Sequence, residues 1–256
     1  MSLTVENLSF SYGKHEVLHE ISFAAQAGEL LAILGPNGVG KTTLFKCVMG
    51  LERRYTGHIL ADEADLATLS PRERAHLVAS IPQAHPLSFR YSAFDMVLMG
   101  TSHNLSPFAL PGKKEREMAR EAMARVHIEH LAERPFDQLS GGEQQLVFIA
   151  RALAQQAKIL LMDEPTSSLD YGNRLLVLGV ARDLARSGYT VLLSTHDPQH
   201  ALWFGDRALA LQEGRVLALG TPLEVVTPQL LSTLYGRQIE LLDTAQGPVL
   251  VPKEGC

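Results

Sequence analysis

Apolar residues along this chain fall into two patterns. Short unbroken runs at residues 30–34, 159–162 and 191–193 have the look of strands covered on both faces, as in a parallel sheet. Between them lie longer stretches with helical period. The opening is different: residues 3–10 alternate, Tyr12-Gly13-Lys14-His15 reads as a turn, and 17–23 as further strand. A turn at Ala27-Gly28-Glu29 leads into the run at 30–34, and a helix over Leu44 to Met49 is expected soon after it. Gly50 and Gly57 bracket a basic connector, Glu52-Arg53-Arg54-Tyr55. Ser70-Pro71-Arg72-Glu73 carries a capping box with proline at the first helical position. A short strand over 77–81 ends at Pro82-Gln83.

From Ala84 to about Leu153 the character changes. Pro86, Pro107 and Pro111 punctuate a loop-rich stretch. A helix over 113–126 follows, with Met118, Ala122, Met123 and Val126 on one stripe and the run Lys113-Lys114-Glu115-Arg116-Glu117 on a solvated face. A second helix follows Gly141-Gly142 and runs to Leu153, so the stretch reads as a helical insert. Strand and helix then alternate again: strand 159–162, helix 173–186, strand 190–194, short helix 198–203. A hairpin over 207–211 and 215–219 turns at Glu213-Gly214. Thr221-Pro222-Leu223-Glu224 is another capping box, and the tail carries weak strand signals at 239–242 and 249–251.

Composition narrows the picture in three ways. With 256 residues, 46 % hydrophobic and 20 % charged, the chain suits one domain or one core with an insert. A net charge of -5 argues against nucleic-acid binding through overall charge. Cys47 and Cys256 form no CxxC or Cys/His cluster, so neither a disulfide framework nor a zinc site is expected, and a reducing compartment fits. The N-terminus lacks a signal-peptide pattern, and no apolar run approaches the 18 residues of a membrane span. A membrane role would have to go through a partner.

The chemistry is concentrated after the run at 30–34. Gly35-Pro36-Asn37-Gly38-Val39-Gly40-Lys41-Thr42, followed by Thr43, is G-x-x-x-x-G-K-T between a strand and a helix, the phosphate-binding loop. Glycines at 35, 38 and 40 let the backbone turn its N–H groups inward, and the helix start adds unpaired N–H groups and a positive dipole end. Lys41 is expected at the β- and γ-phosphates and the Thr42 hydroxyl on Mg²⁺. The run at 159–162 ends in Asp163-Glu164. Asp163 is where such a protein holds Mg²⁺ from the other side, and Glu164 at the turning strand end is placed to orient or deprotonate water. His196 follows the next strand, on the same rim, and is a candidate γ-phosphate contact.

These residues, with Leu139-Ser140-Gly141-Gly142-Glu143 upstream of Asp163-Glu164-Pro165-Thr166 and with Ser168-Leu169-Asp170 after it, resemble the ATP-binding subunits of ABC transporters over nearly the whole chain. The resemblance implies a P-loop ATPase core with a mainly parallel sheet and an N-terminal antiparallel β portion (1–86 and 154–220). It implies a helical subdomain with the signature at 87–153 and a C-terminal extension at 221–256. It makes Gln83 the Q-loop glutamine that senses the γ-phosphate and joins Thr42 and Asp163 at Mg²⁺. Tyr12 becomes the ring stacked on adenine, His196 the switch histidine and Asp170 part of the D-loop. Two copies are expected to pair head to tail, with Ser140, Gly141 and Gly142 of one covering the ATP held by the other. Leu146 stands among residues where many members carry arginine.

Within the family, Leu69 to Ala75, Ile81-Pro82-Gln83, Val97 to Gly100 and the segment from Gly220 to Gly236 resemble importers of iron chelates, haem and cobalamin. That implies polytopic permease partners, an extracytoplasmic binding protein and a peripheral place on the cytoplasmic face of the inner membrane. By analogy the segment from 84 to about 100 meets the permease. Phe89, Tyr91, Phe94 and Met96 there serve either that contact or the local core. An exporter ATPase, a soluble ABC ATPase of repair or translation, and a small-molecule P-loop kinase are the competing readings. The last leaves 139–143 without a purpose.

Overall fold

The structure, a computed structural model, describes residues 1–82, 91–106 and 109–253. The chain opens with the antiparallel pair β1 (Leu3–Tyr12) and β2 (His15–Ala25). β3 (Leu30–Leu34) leads into α1 (Lys41–Met49); β4 (Thr56–Ala61) and β5 (Ala64–Asp65) return beside β1. α2 (Pro71–Ala75) and β6 (Val78–Ile81) precede a helical stretch of α3 (Ala93–Leu98), α4 (Lys113–Arg125) and α5 (Gly141–Ala154). Then come β7 (Ile159–Asp163), α6 (Tyr171–Arg186), β8 (Thr190–Thr195), α7 (Pro198–Phe204) and the hairpin β9 (Arg207–Gln212) with β10 (Arg215–Gly220). α8 (Pro222–Val225), α9 (Pro228–Tyr235) and a second hairpin, β11 (Ile239–Thr244) with β12 (Gly247–Pro252), close the described chain.

The main sheet has the order β10-β9-β3-β8-β7-β6, parallel except for its β10 edge. Alternation along its strands divides the interior into two layers. Leu30, Ala32, Leu34, Leu160, Met162, Val191 and Leu193 face the helical layer of α3 to α7. Leu31, Ile33, Ile159, Leu161, Leu192, Leu209 and Leu211 face α1 and the antiparallel sheet β2-β1-β4-β5. Both faces are covered, which is why the central positions of these strands are apolar on both sides. The stripe on α4 is buried as its period predicts, at Met118, Ala122, Met123 and Val126. Leu146 is packed in the same helical layer.

Register sets the rim. Leu34 pairs with Thr195 and Asp163 with Ser194, while Ile81 pairs with Met162. Gly35, Glu164 and His196 therefore leave neighbouring strands at one level.

Three elements depart from the sequence reading. The connector after Gly50 gives way to β4 at Thr56, with Gly57 at φ 88 inside the strand. The loop-rich stretch contains α3, capped by Ser92 and Asp95 at both ends of a capping box. At six residues it is too short to display a helical period. α9 follows an N-cap at Thr227 with Pro228 first and ends at Gly236 in the left-handed region, signals that flank only eight residues. Met96 is core and Phe94 is packed against it, beneath Arg116 and Arg120. Tyr91 is 40 % exposed, while Phe89 lies outside the described residues. Among the described residues no helix is long and apolar enough to cross a membrane.

Cys47 lies on the buried face of α1, and burial, with a smaller contribution from Glu52, pushes its thiol up to about 12. A thiol that does not ionise is a poor nucleophile. Cys47 should therefore resist iodoacetamide at pH 8 in the native protein and become fully alkylated in guanidinium, as read by peptide mass mapping.

Candidate nucleotide-binding site

The loop between β3 and α1 is built for an anion. Gly40 is the N-cap of α1 at φ 107, and a Cβ there would lie 2.8 Å from Leu18 Cδ2 and 3.2 Å from the Val17 carbonyl. Only glycine allows the loop to lie this close to β2. Gly40 offers no side-chain cap, and the first turn of α1 has no acidic residue. The N–H groups and dipole of this helix are thus uncompensated. Asn37, Gly38, Gly40, Lys41, Thr42, Thr43 and Glu164 line a cavity of about 300 Å³. Gly35 and Val39 are buried behind it.

Lys41 is the cation of this cavity, with its side chain 5 % exposed. Its Nζ donates to the carbonyls of Gly35 at 2.7 Å and Pro36 at 3.1 Å, and stands 3.2 Å from Glu164 Oε1. Glu164 Oε2 is 3.1 Å from His196 Nδ1. Glu164 takes φ 45, a left-handed conformation uncommon for a residue with a side chain. That turn at the end of β7 aims its carboxylate at Lys41, whereas Asp163 stays in the strand.

Ser194 joins the two acids. Its hydroxyl donates to Asp163 Oδ1 at 2.6 Å and accepts from the Glu164 N–H at 3.0 Å. Sequence reasoning did not single out this residue. A hydroxyl at the end of an otherwise apolar strand, paired in register with the strand that ends in Asp163, was the signal available.

The signature residues form a second cluster. Ser140 caps α5: its hydroxyl accepts from the Glu143 N–H at 3.3 Å, and its own N–H donates to Glu143 Oε2 at 2.7 Å. These bonds, the one from the Ser140 N–H first, hold the Glu143 carboxyl below its usual range. A Cβ on Gly142 would fall 2.2 Å from Asn173 Oδ1, so the start of α5 is pressed on α6. Asp170 caps α6 through the Asn173 N–H at 2.9 Å, and its carboxyl is lowered by that bond. Ser140, Gly141, Gly142 and Asp170 do not line the cavity that holds Lys41.

Tyr12 stands outside the cavity lining as well. It is 44 % exposed, packs edge-on against Phe10 and donates its hydroxyl to Glu52 Oε1 at 3.1 Å. Gln83 lies outside the described residues.

A glycine-built loop, a buried lysine and acids at the neighbouring strand end, on a parallel sheet with a helical insert, define a P-loop nucleotide-hydrolysing protein. The family of ABC transporters matches residues 18–167, and the chain belongs to that family. Hemin import ATP-binding protein HmuV of Gloeobacter violaceus is 41 % identical over 87 % of this chain and 82 % of its own length. An inward-facing transporter described as of metal-chelate type shares 32 % identity at TM-score 0.87, covering 99 % of this chain and 98 % of that one. A dimeric ATP-binding cassette, MJ0796, in a post-hydrolysis state with ADP and Pi shares 27 % identity at TM-score 0.73, covering 86 % and 98 %. ATP-binding subunits of this family are ATPases that work as dimers with membrane permeases, and a P-loop fold of this kind binds ATP.

Removing the Ser194 hydroxyl would strand the Asp163 carboxylate and the Glu164 N–H. Ser194→Ala should cost about 1–2 kcal/mol and lower Tm by roughly 2–5 °C. Differential scanning calorimetry checks it; an unchanged Tm would show that the bridge contributes nothing to stability.

Proposed function

We propose that this chain is the energy-coupling ATPase of an importer for a metal-containing cargo such as an iron chelate, haem or cobalamin. It would act as a head-to-tail pair of identical copies on polytopic permease subunits, peripherally at the cytoplasmic face of the inner membrane. An extracytoplasmic binding protein would deliver the cargo, and no nucleic acid takes part. The observation that carries the reading is the division of the site. Lys41, Glu164 and His196 share one cluster, while Ser140, Gly141 and Gly142 open a helix in another. The cargo class follows that of the similar proteins, the hemin import ATP-binding protein and the metal-chelate type transporter.

The chemistry follows from the residues. A triphosphate entering the cavity brings its oxygens to the backbone N–H groups from Gly38 to Thr43 and to Lys41 Nζ, in place of Glu164. Thr42 and Asp163 offer hard oxygen donors of the kind Mg²⁺ prefers, with Gln83 as a third, and the remaining positions suit phosphate and water. Mg²⁺, when bound there, would supply neutralisation of the phosphate charge. Glu164, released from Lys41, accepts a proton from the attacking water, and His196 orients the carboxylate and the γ-phosphate. Ser140, Gly141 and Gly142 of the second copy close the pocket with helix N–H groups and exclude water, with Asp170 beside them. Tyr12 turns its exposed face to adenine.

By family analogy the segment from 84 to about 100 would meet the permease; it follows Gln83 in sequence, so ATP-driven closure of the helical subdomain at 87–153 would move it. The extension at 221–256 would stay with the core.

Glu164→Gln should retain ATP binding, cut turnover by about 100-fold or more and accumulate a dimer in Mg-ATP, read by analytical ultracentrifugation. Undiminished phosphate release by this variant would overturn the role of Glu164. Lys41→Ala should weaken binding of a fluorescent ATP analogue by at least about tenfold. Full-strength binding would overturn the loop assignment.

A further inference from the structure

The C-terminal extension grips the loop that carries His196 from both ends. At one end, Tyr235 at the close of α9 donates its hydroxyl to the His196 carbonyl at 2.9 Å. At the other, α7 begins two residues after His196 and is tied to the hairpin β11–β12. Gln199 Nε2 donates to the Pro248 carbonyl at 2.9 Å, and Gln199 Oε1 accepts from the Leu250 N–H at 3.0 Å. Trp203 Nε1 donates to the same Pro248 carbonyl at 3.2 Å.

The grip is anchored rather than loose. Val225, Val226, Leu231 and Leu234 of the extension are buried in the same interior layer as Leu34 and Met162, and Tyr235 packs against that layer. The loop also has its own internal bonds. Thr195 Oγ1 and His200 Nδ1 lie 2.9 Å apart, and the Asp197 N–H donates to Thr195 Oγ1 at 3.1 Å. These bonds fix the loop's two ends but leave the His196 carbonyl to the tyrosine. Burial, then the Asp197 and Glu164 carboxylates, push the Tyr235 phenol above its usual range, so it stays a neutral donor.

We propose that Tyr235 is a positioning residue for ATP hydrolysis: its hydroxyl holds the His196 backbone so that the imidazole meets Glu164 and the γ-phosphate. The inference rests on the role given to His196 under Proposed function. The rotation of the imidazole toward Glu164, at 3.1 Å, depends on where the backbone of residue 196 sits. That backbone lies between a strand and a helix and has no ladder of its own to fix it. The C-terminal extension thereby becomes part of the catalytic apparatus of its own chain, although it contributes no atom to the cavity.

Tyr235→Phe keeps the ring and its packing and deletes only the donor. In the full-length protein with Mg-ATP, its kcat should fall about three- to tenfold, with KM for ATP within about twofold and Tm lowered by no more than about 3 °C. In a His196→Ala background, which itself should lose at least about tenfold in kcat, adding Tyr235→Phe should cost nothing more. The His196 ring resonance in the ¹H–¹³C NMR spectrum should move in Tyr235→Phe while core methyl resonances stay in place. If His196→Ala loses activity but Tyr235→Phe keeps the full kcat, or if the two losses multiply, the positioning role is overturned and the histidine's role stands. If His196→Ala keeps the full kcat, the reading of His196 fails and takes this inference with it.

Discussion

A lysine ammonium almost removed from water must be met by something. In this chain Lys41 is met by two loop carbonyls and by Glu164. Burial of a cation without such partners would cost several kcal/mol, roughly the magnitude that forces buried charges to pair. The loop therefore arrives at the cavity already folded around its own cation. The carbonyls of Gly35 and Pro36 fix where Nζ sits, and the carboxylate neutralises it. Phosphate competes with that carboxylate for one charge. Under the proposed function, binding and activation are then a single exchange: the same step that satisfies Lys41 with substrate frees Glu164 to act on water. His196, already at Glu164 Oε2, keeps hold of the carboxylate on its other side.

The exchange requires that groups from three strands meet within a few ångströms, and the sheet supplies this through register. β3, β8 and β7 are adjacent and parallel, so their ends emerge together. Apolar side chains on both faces of these strands lock that register, because slipping by one residue would move every side chain into the wrong layer. Core packing and site geometry are accordingly one property of the strands. Ser194 illustrates the overlap. It occupies a fully buried position in β8, yet its hydroxyl holds the Asp163 carboxylate at the end of β7 and the backbone N–H of Glu164 just beyond it. An apolar residue there would fill the space and leave Asp163 and the turn at Glu164 unsupported.

Much of this was readable from residue order. The buried strands announced themselves as unbroken apolar runs, and Gly-x-x-x-x-Gly-Lys-Thr after the first of them placed the loop. Asp163 and Glu164 were legible because a strand end is where an apolar run stops. What escaped was shorter or longer in range. α3 and α9 are too brief for a period to accumulate, and only their capping residues betray them. β4 begins beside a glycine and pairs with β1 on one side and β5 on the other, pairings that local pattern does not encode. Ser194 and Tyr235 act across 31 and 39 positions of sequence, through contacts that exist only once the sheet and the extension are assembled. Sequence placed the charged groups; the neutral hydroxyls that aim them needed coordinates.

The two helix starts that a nucleotide would meet are electrically unlike. α1 opens with no side-chain cap and no acid in its first turn, so its positive end is fully available. α5 opens with Ser140 and Glu143 closing a capping box: the Glu143 carboxylate accepts the Ser140 N–H, the Ser140 hydroxyl accepts the Glu143 N–H, and a negative charge stands in the first turn. An anion gains more at α1 than at α5. Under the proposed head-to-tail pairing, this asymmetry would order events: a triphosphate would occupy its own loop first and recruit the weaker, partly compensated helix of the second copy afterwards. A start as bare as that of α1 in both places would favour anions at isolated signature helices, where no Lys41 or Glu164 stands ready. Under that proposal, compensation at α5 would make closure depend on nucleotide already held by the loop, which is the condition for coupling hydrolysis to assembly rather than to stray phosphate.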